Sequence, residues 1–374
     1  MERIFPFGFD SHLPFYLVVY VLTLVLHIFL MAYVLAGSLW LAWATLFPGG
    51  GLVPRAKQPM AGILRDWMPF ALSGAITAGV APLLFVQILY RHQFYSANLI
   101  LGWRWMVVIP VLVIAFYLLY VMKSRAVSHW SVPARLGLSV SISACFLFVA
   151  FCWTANHLLG LNPAEWPEAY RSGNAVRSPA ALLLRLLTWV AGTFPTMSVL
   201  ASWQLRGAGT CAVPSATAAG ESDWATLTQR EHRRLATASI AGLAVAFVCA
   251  TGYWTTLEPS VQTQLVGSMG LPWLLIVVAS GLFQILVWLL QLQRPCICSR
   301  WLSAITMAMV ITLMGTASLR EIVRLSQANP DQLAATTKAA AAVGGFELFF
   351  VFTVLNAVLI LWCIRMVRSA LHRG

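Results

Sequence analysis

The sequence predicts an all-α protein, a single bundle of about nine transmembrane helices. Three observations lead there. Of 374 residues, 60% are hydrophobic and only 10% are charged, whereas soluble domains carry about 25% charged residues. The apolar residues come in continuous runs, each long enough for the ~20 helical residues that cross a hydrocarbon core of ~30 Å. Short alternating segments, the mark of a transmembrane barrel, are missing. A soluble enzyme, a disordered chain and a disulfide scaffold are excluded on composition.

In order, the spans are predicted at 15–46, 64–90, 99–122, 136–160, 180–204, 236–257, 268–292, 301–325 and 343–366. The opening residues lack a basic n-region and a small-residue cleavage site, so the run from Phe15 reads as a retained first helix. Basic residues mark the breaks, as with Arg55 and Lys57 before the second span and Lys123 and Arg125 after the third. Arg135 precedes the fourth span, Arg185 lies inside the fifth, and Arg294 and Arg300 bracket the gap between the seventh and eighth. The stretch 205–235 is polar, ends in Arg230-Glu231-His232-Arg233-Arg234, and is predicted as the one sizeable extramembrane loop. No repeat or domain boundary interrupts 1–374, which reads as one integral membrane domain.

Nine spans place the termini on opposite sides. Of the 24 Lys and Arg residues, fifteen fall on one side, eight on the other, and Arg185 in the membrane. The positive-inside rule then sets the N-terminus outside and the C-terminus in the cytoplasm. The net charge of +12 is therefore a topology signal and not a nucleic-acid footprint. The partner this implies is the lipid bilayer.

Motifs for soluble chemistry are absent: no P-loop, HExxH, GxSxG, dinucleotide fingerprint, CxxCH or paired CxxC occurs. Within the spans the acidic residues are Asp66, Glu321 and Glu347, with Glu258 just past the sixth. A carboxylate-relay pump or a carboxylate-ringed channel is poorly supplied. A transporter also lacks the inverted repeat and matched broken helices it would show.

Ionisable residues at membrane depth are the candidate site. His27 lies about twelve residues into the first span, too deep to snorkel. It reads either as a neutral imidazole bonded to a neighbouring helix or as an axial haem ligand. His157, near the outer end of the fourth span, is either a wet interfacial histidine or a second ligand. Glu321 and Arg324 share a helix face at i, i+3. They form an interfacial ion pair, or they serve haem propionates, a proton path or a quinone. Arg104, between Trp103 and Trp105, either pairs with a propionate or reaches the interface.

At these residues the chain resembles the large, haem-bearing subunit I of cytochrome bd-type quinol oxidases. The resemblance is carried by His27-Ile28-Phe29-Leu30 with Leu35-Ala36-Gly37, by Gly79-Val80-Ala81-Pro82 with Gln87, and by Tyr95-Ser96-Ala97-Asn98 with Gly102. Ser143-Ala144, Ala155-Asn156 with Pro163, and Glu321-Ile322-Val323-Arg324, similar to the family's Glu-x-Gly-Arg, extend it from His27 to Arg324. It implies one b-type haem near the periplasmic face, bound by His27 with His157 as a candidate second ligand. Quinone, other membrane subunits and a periplasmic redox protein are the implied partners, in a bacterial cytoplasmic (inner) membrane. The third span carries none of the family's oxygen-site glutamates. Thr188 stands near the place of its helix-five histidine, and Met197 is not identified with it by spacing. The family's long quinol loop is not recognisable after the sixth span. An intact oxygen reductase is therefore not expected. The resemblance implies an electron-transfer subunit, with a haemless anchoring subunit as the alternative and a transporter third.

Overall fold

The structure, a computed structural model, describes residues 13–46, 59–176, 178–207, 219–294, 298–343 and 350–355, together with 358, 362 and 365. Every regular element among them is helical. In chain order these are α1 (Leu13–Leu46), α2 (Pro59–Leu89), α3 (Arg91–Leu101), α4 (Trp103–Met106) and α5 (Val108–Lys123). There follow α6 (Val132–Leu161), α7 (Trp166–Ser172), α8 (Pro179–Gly207), α9 (Ala219–Trp254), α10 (Pro259–Val266), α11 (Leu271–Leu292), α12 (Ser299–Gln327) and α13 (Pro330–Val343). Two short 3₁₀ turns, Arg125–His129 and Pro163–Glu165, complete the set.

Eight stretches among the described residues are long and apolar enough to cross a membrane, so the protein is an all-α polytopic bundle. They are α1, α2, the α4–α5 pair, α6, α8, α9 from Gln229, α11 and α12. The ninth predicted span, 343–366, lies for the most part outside the described residues, although 350–355 is helical. The contacts divide the chain into a large unit, Val18–Ala328, and a smaller one of Met1–Leu17 with Asn329–Gly374. The smaller unit contains α13, capped by Asn329 Oδ1, which accepts from the Asp331 N–H at 2.9 Å.

Two local predictions are corrected. The third span was placed from residue 99, but Gly102 takes φ 57 and ψ −126 and breaks the helix there. A side chain would be strained at that φ. Residues 91–101 consequently form the separate helix α3, and the crossing starts at Trp103. The polar stretch 205–235 is helical to Gly207 and again from Ala219, so much of the expected loop extends α9. Glu, Arg, Ala and Leu are strong helix formers whatever their polarity. An Arg234–Glu231 pair at 2.9 Å adds an i, i+3 link on the helix.

Within the large unit, the main core joins α1, α2, α5, α6, α8 and α9 through Leu35, Leu64, Leu119, Ile142, Met197 and Leu235. The opposite faces carry side chains such as Phe70, Ile109 and Val248, 69%, 72% and 68% exposed. That much open apolar surface suits hydrocarbon and not water. The most extensive helix pair is α8 with α9. Its close approach depends on Gly242, where a Cβ would stand 2.7 Å from the Ala191 carbonyl oxygen and 3.0 Å from Phe194 Cβ. Small residues let membrane helices approach, and polar side chains tie them. Between α11 and α12, Ser280 bonds Thr312 at 2.7 Å and Gln284 Nε2 donates to Thr312 Oγ1 at 2.8 Å.

Successive crossings alternate in direction. The C-terminal ends of α2, α6, α9 and α12 therefore share one end of the bundle with the N-terminal ends of α1, α8 and α11. The polar residues of interest gather there.

Candidate functional site

The last two turns of α12 present Arg320, Glu321 and Arg324 to helices that arrive from distant parts of the chain. Arg324, 9% exposed, donates from Nε to His157 Nδ1 on α6 at 3.0 Å. Its Nη1 donates to Tyr20 Oη on α1 at 3.0 Å and to Glu321 Oε1 at 3.3 Å. Tyr90, at the end of α2, donates its hydroxyl to Glu321 Oε2 at 2.9 Å. The Arg324 guanidinium also lies over the Tyr90 ring, 5.0 Å from its centroid. Tyr20, Tyr90, His157 and Glu321 are each at most 4% exposed. Four helix segments are thus tied by one guanidinium and one carboxylate. Such a network is strong when every member is satisfied.

It also fixes a tautomer. An arginine Nε is always a donor, so His157 Nδ1 must accept and the ring proton resides on Nε2. That Nε2–H is buried and has no hydrogen-bond partner among the described residues. Beside it, Tyr90, Gln93, Asn156, His157, Arg324 and Gln327 line a void of about 20 Å³, enough for one water. A larger cavity of about 290 Å³ adjoins, sharing Leu161 and Gln327, with Glu165, Glu258, Tyr253 and Leu182 in its wall.

His27 occupies a separate position. Its Nδ1–H donates to the Ala75 carbonyl on α2 at 2.9 Å, which makes Nε2 the ring's lone-pair nitrogen, with no hydrogen bond among the described residues. The ring rests on Gly79, where a Cβ would stand 2.9 Å from Nδ1 and 3.0 Å from Cε1. Arg320 lies within electrostatic range of both histidines.

Of the residues singled out in the sequence, His157, Glu321 and Arg324 are brought into direct contact. His27 is not hydrogen-bonded to them, and Arg104 is elsewhere. Arg104 stacks on Trp103 at 5.3 Å, and its carbonyl accepts from Cys152 Sγ at 3.5 Å. Tyr20, Tyr90 and Arg320 went unrecognised in the sequence, since tyrosines near span ends resemble an interfacial belt. Arg185 on α8 carried a signal, as the lone charge within its span. It lies 5.0 Å from the Tyr253 ring centroid and within electrostatic range of His157.

For a haem, the donor chemistry at His27 fits. A metal-binding imidazole usually donates its second N–H to a carbonyl or carboxylate, and Ala75 supplies that acceptor. His157, as arranged, offers an N–H and not a lone pair. Among the described residues no group of three or more His, Cys, Asp or Glu converges as for a bare metal ion. Compared with protein-family models, curated proteins and solved structures, the chain matches none.

Proposed function

We propose that this chain is a membrane subunit of a respiratory electron-transfer complex, holding one b-type haem on His27 and exchanging electrons with quinol or a periplasmic redox protein. The observation that carries the reading is the state of His27, with Nδ1–H tied to Ala75 and Nε2 the lone-pair nitrogen at membrane depth. A bound haem would supply one-electron redox chemistry, tuned by ligand identity and burial. The chain itself orients the imidazole through Ala75 and makes room for it with Gly79. Arg324 and Glu321 neutralise each other and lock α1, α2, α6 and α12 around the site. Were a propionate to reach this network, Arg324 would be the residue to meet it, held in place by Tyr20, His157 and Glu321.

The test is the reduced-minus-oxidised visible spectrum of the purified protein with a pyridine haemochrome assay, on wild type, His27→Ala and His157→Ala. The reading expects about one haem per chain in wild type, loss in His27→Ala and retention in His157→Ala. Full haem in His27→Ala ends the assignment.

One observation favours a second reading, a haemless anchoring subunit. The Glu321–Arg324 network satisfies both carboxylate oxygens and joins four helices without any ligand. A wild-type complex that assembles intact with no haem band in this chain would select it.

A further inference from the structure

Beside the network, two guanidinium groups stand without a directly bonded carboxylate among the described residues. Arg185 is 8% exposed and makes no hydrogen bond or ion pair among the described residues. Arg320, partly buried, is in the same condition and lies 6.0 Å from the ring centroid of Trp189. Trp189 is one helical turn beyond Arg185 on α8, so both guanidinium groups meet one face of that helix. They lie within electrostatic range of each other and of His157. The nearby carboxylate, Glu321, is committed, with Oε1 to Arg324 and Oε2 to Tyr90. Three cationic side chains thus face one carboxylate in a membrane interior, where a charge without a partner is among the most costly groups.

The donors are also disposed for a ligand. A guanidinium stacked on an aromatic ring uses its π face, and its N–H groups, which lie in the plane, stay free for oxygen. His157 Nε2–H is a third donor, buried and without a partner among the described residues. We infer that Arg185, Arg320 and the His157 Nε2–H form a binding site for an oxyanion, a phosphate or carboxylate group brought by a ligand. The site does not depend on the haem reading.

Depth limits the source. Arg185 and Arg320 lie six and seven residues from the ends of their helices, roughly 10 Å along the axis at 1.5 Å per residue. At 29 residues, α12 is about 13 Å longer than a ~30 Å hydrocarbon core. The guanidinium groups therefore lie a few Å inside the hydrocarbon boundary, where a lipid phosphate, a free oxyanion or the carboxylate of a bound cofactor can meet them.

The experiment is thermal unfolding of the full chain in detergent. Inorganic phosphate is titrated at constant ionic strength with chloride as control, and phosphatidylglycerol is compared with phosphatidylcholine in mixed micelles. Haem content is measured on the same samples. Wild type, Arg185→Gln, Arg320→Gln and Arg185→Lys are compared. A rise of a few degrees in the wild-type melting temperature with phosphate identifies a free ion, and a rise with phosphatidylglycerol alone identifies a lipid. In either case both glutamine variants melt above wild type without the anion and lose the rise. If a cofactor carboxylate fills the site, neither addition moves wild type and both glutamine variants bind less haem. Should a glutamine variant fail to fold, Arg185→Lys decides. It keeps the charge without the planar fork, so the phosphate or lipid midpoint moves to higher concentration, or haem content falls. Equal responses in wild type and variants overturn the site. So does the absence of any response together with unchanged haem content. A wild type with no haem that still responds to phosphate or phosphatidylglycerol removes the haem reading and leaves this one standing.

Discussion

Arg324 of α12 holds His157 of α6 through an Nε–H···Nδ1 bond of 3.0 Å, across 167 residues of sequence. The bond makes the histidine a neutral donor at Nε2 and couples the helix carrying the buried carboxylate to the helix carrying the imidazole. The same guanidinium reaches Tyr20 and Glu321, so its loss leaves a buried carboxylate whose one remaining partner is Tyr90.

Arg324→Met is accordingly expected to destabilise the protein by about 3–5 kcal/mol, the usual consequence of stripping one partner from a buried ion pair. Adding Glu321→Gln removes the uncompensated charge and should recover part of that loss. Denaturant unfolding in micelles of both single variants and the double variant gives the coupling. Additive effects would show that the pair is not energetically joined.

Gly79→Val should displace the His27 imidazole, because its Cβ would stand 2.9 Å from Nδ1. In the haem reading proposed above, haem per chain falls severalfold. Gly74→Ala is the control on the same helix: its Cβ would meet only the flexible end of Leu30, at 3.1 Å. Haem bound equally by both variants would break the link between the glycine and the ring.

Gly242→Val addresses the fold alone. The contact it would make is with the backbone carbonyl of Ala191 at 2.7 Å, and a helix backbone cannot step aside as a side chain can. Overpacking of this kind costs about 1–3 kcal/mol or more. A lowered melting temperature and reduced yield are expected, and wild-type stability would contradict the tight α8–α9 contact.

Cys298 tests both topology and local electrostatics. It is exposed and stands at the N-cap of α12. The backbone N–H of Arg300 is the main influence holding its thiol below the ordinary value, helped by the Trp301 N–H and by the Arg300 and Arg206 charges. A lowered thiol pKa raises the thiolate fraction at a given pH above that of an ordinary thiol, and reactivity falls as the pH is lowered. With the other six cysteines replaced by serine, maleimide labelling should exceed that of a free thiol at pH 7 and fall toward acid pH. If the orientation predicted by the charge bias holds, with this loop in the cytoplasm, an impermeant reagent should label inverted vesicles and not intact cells. Labelling from outside would reverse the topology.

The helices were legible because composition and run length set them directly. In a bilayer every backbone group must be satisfied within its own segment, so a long apolar run has little choice but to be a helix. The boundaries were less legible. Gly102 ends α3 by its backbone conformation, and the polar start of α9 stays helical because helix propensity does not follow hydropathy.

His157, Glu321 and Arg324 could each be singled out in the sequence, since ionisable residues at membrane depth are few. That they touch, that Tyr20 and Tyr90 complete them, and that Arg185 and Arg320 are left over could not be read there. Hydropathy gives the depth of a residue and helical spacing gives its face. Which faces meet depends on packing among helices far apart in sequence, where close approach at glycines such as Gly242 and the pairing of buried polar groups decide the arrangement. The sequence by itself determined the solvent this protein occupies and the depth of its charges. The tertiary structure decided which charges are paired, because burying one without a partner is far more costly than any difference between neighbouring helix faces.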